Sequence, residues 1–400
     1  MTRQGGLSNE FYILLMVKCP TCQEVGTVTK AGIVRGRQRY FCKLCAAHFA
    51  PGPAEGKPKS APRHQTTIVD LARELGISKS TVSRALRDQP DIHPGTRRAV
   101  LELAQNLDYQ PNLMAYGLVK SRSNVIGMVV PEFYHYFFPN VIVGAQEVLQ
   151  RAGYNLMICQ SAESYETEVA NVKTLMASRV DGLLVSLTAQ TNNVEHLRAL
   201  ARRGVPLVFF NRICPDLDTP RVVVDDYEGA FGAVEHLIAQ GYRRIAHLAG
   251  PPALLVSRLR QQGYLDALAA HGLQPDPDLV ISYDLTVEKA RIYAQHLLNL
   301  PQPPDAIFAI NDPTAIEIML VAKSRGVRIP DDLAVVGFSN DPMSAIIEPG
   351  LTTVAQPLPE MGRTAARLLL EQLSAGDDFV PRTEVLKTEL IVRGSSVRGA

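Results

Sequence analysis

Tryptophan is absent from the 400 residues, and aromatic residues make up only 6%. Long apolar runs are missing too. The longest early one, FYILLMV at Phe11–Val17, falls far short of the ~20 residues a spanning helix needs, and it lacks the basic front and small-residue cleavage site of a secretion signal. This argues against a membrane protein. Cysteine is scarce: of six, four fall at 19, 22, 42 and 45, whereas Cys159 and Cys214 sit alone in apolar surroundings. That usage reads as a reduced, cytoplasmic chain with one local cluster. The sequence also has no G-x-S-x-G elbow, no GxxxxGK[ST] phosphate loop and no H-E-x-x-H site, which argues against an enzyme.

Net charge is nearly lacking, at +1, but only because two halves cancel. Residues 1–124 hold 18 Lys and Arg against nine Asp and Glu, and residues 125–400 hold 23 against 31. A basic head on an acidic body is the asymmetry of a nucleic-acid-binding module attached to something else. At 46% apolar, a chain of this length can bury a substantial core in two or three domains.

Cys19-x2-Cys22-x19-Cys42-x2-Cys45 supplies two thiolate pairs on tight turns, the spacing of a closed tetrahedral Zn²⁺ site with one structural ion per chain. Between them Lys30, Arg35, Arg37, Arg39 and Lys43 alternate with Gly32, Gly36, Tyr40 and Phe41. The stretch GRQRYFCKLC resembles the small zinc ribbon at the front of insertion-element transposases. The ribbon spans 18–49 and is followed by a linker over 50–64, rich in Pro, Gly, Ala and Lys. Met16, directly before VKCPTC, is an alternative translation start.

The next block, 65–111, is helical. Thr67 with Asp70 forms a helix start, Ile68, Leu71, Ala72 and Leu75 an apolar face, and Gly76 a break. Ser78 caps a second helix that turns Val82 and Leu86 inward and Lys79, Ser80, Ser83, Arg84 and Arg87 outward. These are donors suited to phosphates and base edges. From Val125 onward, short apolar runs (125–131, 154–160, 180–187, 205–211, 244–250, 306–312 and 333–339) alternate with amphipathic segments of helix length. Near-continuous apolar strands between helices predict parallel sheets covered on both faces. The joints at Gly204 and Gly326 place a glycine after a helix and a proline before a strand.

The segment TIVDLARELGISKSTVSRALRDQPDIHPGTRRAVLELAQNLDYQPN resembles the headpiece of LacI-type transcriptional regulators, and the likeness runs almost to the C-terminus through pieces such as RRGVPLVFFNR, VVVDDYEGAFGAVEHL and IPDDLAVVGFSNDP. The resemblance implies that Lys79, Ser80 and Arg84 read the major groove, while Thr67, Ser78, Thr81, Ser83 and Asn112 mostly grip the backbone. It implies a hinge helix and linker over 112–124, with Ala115 at its base and Leu118 wedged into the minor groove, and Gly117 weakening that helix. It also implies that 125–400 is a two-lobed periplasmic-binding-protein-like core that dimerises and holds an effector in its cleft.

The whole is therefore expected to comprise a four-cysteine zinc ribbon, an all-α helix-turn-helix headpiece and a two-lobed α/β core with parallel sheets. Open parallel sheets bind ligands beyond the carboxyl ends of their strands, which makes Tyr136, Phe137, Phe138, Asn211, Arg212 and Asp225 candidates. The family pattern adds Arg258 and Asp312. The expected function is a cytoplasmic, nucleoid-associated repressor. It acts as a homodimer on double-stranded operator DNA and answers to a sugar or sugar derivative. A nucleobase or other metabolite, or a ligand-independent architectural role, stands as the alternative.

Overall fold

The computed structural model describes residues 18–25, 27–34, 37–50, 66–110 and 122–398. The hinge residues Asn112, Ala115, Gly117 and Leu118 lie outside the described residues. In the cysteine unit, β1 (Val28–Val34), β2 (Arg37–Cys42) and β3 (His48–Phe49) form an antiparallel sheet in that order. Its core holds little more than Cys19, Val28, Tyr40 and Cys42, with Phe49 packed against them.

The headpiece consists of α1 (Ile68–Glu74), α2 (Lys79–Leu86) and α3 (Pro94–Asn106). The Thr67 side chain accepts from the Asp70 amide, while Asp70 accepts from the Thr67 amide at 2.9 Å, closing a capping box. Gly76, at φ +64°, makes the turn a Cβ would strain, and Ser78 caps α2 by accepting from the Thr81 amide at 3.1 Å. Leu71, Ala72, Val82, Ala85, Val100 and Ala104 seal the three helices together. Leu86, expected to face inward, is only half-buried at the edge of that core; Ala85 takes the buried position.

The core has two lobes of the expected kind. In the first, β4 (Val125–Val130), β5 (Asn155–Gln160), β6 (Gly182–Val185), β7 (Leu207–Phe210) and β8 (Arg221–Val224) are interleaved with α4 (Phe137–Arg151), α5 (Tyr165–Ala177) and α6 (Glu195–Ala201). The chain then crosses at Asp225 into the second lobe. There α7 (Asp226–Ala239), β9 (Ile245–Ala249), α8 (Leu255–Ala270), β10 (Val280–Ser282), α9 (Val287–Leu298), β11 (Ala306–Ala309), α10 (Asp312–Ser324), β12 (Ala334–Ser339), α11 (Met343–Ile346) and β13 (Thr352–Ala355) follow. It returns at Gln356 to lay α12 (Leu358–Ala375) and β14 (Thr383–Leu386) on the first lobe, and crosses again to finish with β15 (Glu389–Ile391) on the second.

The sheets run β14-β8-β7-β6-β4-β5 and β10-β9-β11-β12-β13-β15. Every pairing is parallel except that of β13 with β15. Both lobes therefore reverse strand order next to their first strand, between β4 and β6 and between β9 and β11. Such switch points open a crevice at the carboxyl ends. Gly204 and Gly326 lie at φ +69° and +73° after their helices, as the joints predict. Among the described residues no helix is long and apolar enough to cross a membrane.

Candidate functional site

On the headpiece, the hydroxyls of Ser80 and Thr81 lie 2.7 and 2.8 Å from that of Ser78, gathering three hydroxyls at the start of α2, and Lys79 is exposed beside them. Arg84 stands on the same outward surface, paired with Asp91, and Ser83 accepts from Arg87. Thr67 is occupied as the cap of α1. This is a row of donors on a short helix, the shape a major groove admits.

The four thiols converge. Sγ of Cys19 lies 3.5 Å from that of Cys45, Sγ of Cys22 lies 3.6 Å from that of Cys42, and all four lie within 4.8 Å of one another. Thiolates at about 2.3 Å from one tetrahedral ion would sit about 3.8 Å apart, so the donor set fits a metal ion. Two matching turns aim them. The amides of Cys19 and Cys42 donate to the carbonyls of Glu24 and Ala47, five residues on in each case, and Gln23 and Ala46 take left-handed φ of +64° and +55°. The Cys45 amide and then the Thr27 hydroxyl hold the Cys42 thiol down at about 6. The Glu24 amide lowers Cys22, but burial and the neighbouring thiols outweigh it and push that thiol up to about 12.

Between the lobes lies a cavity of about 570 Å³. Its walls are the segments after β4 (Glu132 and Tyr134 to Phe138), β5 (Ala162, Glu163), β6 (Ala189, Gln190), β7 (Asn211, Arg212), β9 (Leu254, Val256, Ser257, Arg260), β10 (Asp284 to Glu288), β11 (Ile310, Asn311, Pro313) and β12 (Ser339, Asp341). All are carboxyl ends. Ala162, Glu163, Asn211 and Leu285 hold φ between +51° and +65°, and Ser339 lies at +131°, so backbone strain gathers on the rim. Phe137 and Phe138 form an apolar wall edge to face at 5.0 Å, and Phe138 continues edge-on to Phe210. Arg212 reaches over the Phe138 ring and donates to both oxygens of Glu163 at 2.7 and 2.9 Å. Glu163 in turn accepts from the Ala189 amide at 2.7 Å, tying three walls together.

Three expected cleft residues are placed otherwise. Arg258 is exposed and donates to the carbonyls of Pro252 and Ala253 at 2.9 and 3.0 Å, buttressing the loop before its own helix. Arg260 is the cleft guanidinium. Its Nε bonds Asp226 Oδ1 at 2.8 Å, its Nη1 bonds the Ile310 carbonyl at 2.6 Å, and it stacks 3.6 Å from the centre of the Phe338 ring. Helical spacing could have found it, because Ser257, Arg260, Tyr264 and Ala267 share the buried stripe of α8 and Arg258 is off it. Asp312 does not line the cavity. It is fully buried, accepts from Thr353, Ser344 and the Asp341 amide, and burial raises its pKa against those bonds. Asp225 caps α7 by accepting from the Glu228 amide. Its neighbour Asp226 is the buried one; desolvation pushes its pKa up while Arg260 pulls it down.

A family model described as bacterial regulatory proteins, lacI family, matches residues 67–112, and one described as a periplasmic binding protein-like domain matches residues 234–396. The HTH-type transcriptional repressor CytR of Escherichia coli (strain K12) is 34% identical over 82% of this chain and 96% of its own length. The transcriptional regulator CelR, solved in complex with cellobiose, is similar with a TM-score of 0.64 at 30% identity, covering 82% of this chain and 99% of that one. The lac repressor dimer bound to operator and the anti-inducer ONPF is similar with a TM-score of 0.74 at 26% identity, covering 83% and 99%. Both family matches begin at or after Thr67, so the four-thiol unit stands outside them.

Proposed function

The chain belongs to the LacI family of bacterial regulatory proteins and is a DNA-binding regulator modulated by a small effector, not an enzyme; from that premise we propose which residues carry each task. Lys79, Ser80 and Arg84 read base edges, and Thr67, Ser78, Thr81, Ser83 and Asn112 hold the backbone. Ala115 and Leu118 supply the hinge and its minor-groove wedge. One short helix reads only a few base pairs, so two copies act as a homodimer on a pseudo-palindromic operator, and repression follows where that operator overlaps a promoter. The observation that carries this reading is the outward row on α2 joined in one chain to a cleft of effector size. Arg84 already lies against Asp91 and must exchange that carboxylate for a base.

In the cleft, Phe137 and Phe138 stack on a sugar-like ring, and Arg212 and Arg260 with their carboxylates meet its hydroxyls. The cellobiose bound by CelR supports a sugar. A ligand touching both lobes changes their angle and, through the hinge, operator affinity by a reciprocal coupling free energy. The thiol cluster takes one structural Zn²⁺, which the sulfur spacing supports.

The test is titration of an operator selected from random duplexes with wild type, Arg84→Ala and Arg260→Ala. Each is run with and without compounds that stabilise the chain in a thermal-shift panel of sugars, sugar acids and nucleobases. Arg84→Ala should lose about 1–3 kcal/mol of discrimination while keeping random-duplex binding. Arg260→Ala should bind operator yet lose the response to the compound. Equal losses of Arg84→Ala on both duplexes would remove it as the reader, and an undiminished response in Arg260→Ala would move the effector elsewhere.

A further inference from the structure

The cysteine unit has a face that its own core does not use. β2 pairs with β1 through Val28↔Cys42 and Thr29↔Phe41, and with β3 through Tyr40↔Phe49 and Phe41↔His48. Side chains alternate across a strand, so this register sorts them by face. Val28, Tyr40, Cys42 and Phe49 turn to the thiols and make the small core. Thr29, Arg39, Phe41 and His48 fall on the opposite face. There Arg39 and His48 are exposed, and the rings of Phe41 and His48 lie 4.8 Å apart with Phe41 half-buried.

Charge over the unit is strongly biased to one sign. Residues 18–49 hold six Lys and Arg against a single acidic residue, Glu24. Even after four thiolates and a divalent cation are counted together as −2, the unit stays positive. Exposed Lys43 lies in the turn that follows Cys42, next to this sheet. An antiparallel face carrying Arg, an aromatic pair and no carboxylate complements a phosphate backbone. Its apolar surface is exposed Val34, opposite Arg37 in the register, and the half-buried Phe41, with Leu44 exposed in the adjoining turn, a smaller apolar area than the core of a protein interface needs.

We propose that this outer face of the β1–β2–β3 sheet is a second DNA-contacting surface, with Arg39 and Lys43 on backbone phosphates and Phe41 with His48 against the sugar edge. The proposal rests on the reading that the chain binds DNA through its headpiece. Sixteen steps of chain from Ala50 to Thr66 reach at most ~55 Å, so once the headpiece is seated the face sees neighbouring DNA at a high effective concentration. Contacts to phosphate carry no sequence information, so the face lengthens and strengthens the footprint without altering the sequence preference.

The experiment measures affinity of the full zinc-loaded chain for a random-sequence 60-base-pair duplex against NaCl concentration. Wild type, Arg39→Ala with Lys43→Ala, Arg39→Lys and Arg84→Ala are compared, with zinc content per chain measured for each. The double variant should keep one zinc, bind on the order of tenfold more weakly, and lose between about 1 and 2 from the slope of log K against log salt, about 0.9 per phosphate released. Arg39→Lys keeps the charge and should keep the slope. An unchanged slope and affinity in the zinc-loaded double variant would overturn the proposal while leaving the headpiece reading intact, and would return this face to a protein partner. Equal loss in Arg39→Lys would overturn it too, because a phosphate accepts either cation. Failure of wild type to bind duplex at all would sink the headpiece reading, and this proposal with it.

Discussion

The cysteine unit and the two-lobed core reach a folded state by opposite means. The core closes each sheet under helices: Ile126, Met128, Phe210 and Leu369 are among those sealed in the first lobe, and Ala246, Ile307, Met319 and Val335 in the second. Among its described residues the unit of 18–49 has two buried residues other than cysteine, Val28 and Tyr40, both packed against the thiols, and it leaves Ile33, Val34 and Leu44 exposed. Its strands alone bury too little to offset the entropy of ordering some thirty residues. The difference teaches that cysteine placement substitutes for apolar area in a domain this small, whereas a domain of nearly 280 residues rests on its apolar core and buries polar groups within it.

On the reading that the four thiols hold a zinc ion, the largest effect that would break this comparison is removal of that metal. Chelation should unfold residues 18–49 entirely and leave the melting of the core unmoved, read by amide dispersion for the unit and by calorimetry for the core. A unit that stays dispersed without metal would show that its few apolar contacts suffice after all.

Next comes the tightest contact in the core. A Cβ at Gly144 would come within 1.9 Å of the Pro359 carbonyl oxygen, and one at Gly362 within 1.9 Å of the Val141 carbonyl oxygen, because α4 and α12 cross backbone to backbone. Gly144→Ala should cost about 3 kcal/mol in urea unfolding of the first lobe, and thiol-zinc content should not change. A loss under about 0.5 kcal/mol would mean that the helices slide apart easily and the core is less closely packed than its geometry states.

The smallest is a pH effect confined to the second lobe. His247 is fully buried between Tyr264 and Phe308, with Nδ1 2.9 Å from the Phe308 carbonyl oxygen, and burial holds its pKa down at about 4. The unfolded chain therefore takes up a proton near pH 6.5 that the native lobe refuses until about pH 4. Stability is complete above pH 6.5 and falls as pH drops through that window, by at most about 3 kcal/mol from this group. Denaturation midpoints measured from pH 7 to 4 should decline for wild type and decline less for His247→Phe. Parallel curves would place the proton elsewhere.

Much of this architecture is legible from residue order. The runs at 125–131, 244–250 and 333–339 are strands within a residue or two of those bounds, because a strand covered on both faces is apolar throughout, and the run at 154–160 is the more exposed edge strand β5. Strands at Arg221–Val224, Val280–Ser282, Thr383–Leu386 and Glu389–Ile391 are not among those apolar runs. They are three or four residues long and lie at or next to a sheet edge, so partners in the sheet rather than local pattern make them strands. The thiol set needed only spacing. The cleft needed more: Phe137, Phe138 and Arg212 follow from the rule of carboxyl ends, but choosing Arg260 over Arg258 needs the azimuth of α8 against the second lobe.

The sequence by itself determined the four-thiol unit, the capped helix-turn-helix with its outward donors, and two lobes of alternating strand and helix. Each of these is written in local chemistry: a ligand spacing, a capping hydroxyl, a period of apolar residues. Only the tertiary structure decided which charges face the cavity. Asp312 is spent on Thr353, Ser344 and the Asp341 amide, Asp225 on a helix cap, Arg258 on its own loop, and Arg260 and Arg212 are brought from opposite lobes to one cleft. A polar side chain at a strand end is equally able to cap, to brace or to bind. What settles the choice is the set of groups that packing, over tens to more than a hundred residues of chain, carries within 3 Å of it.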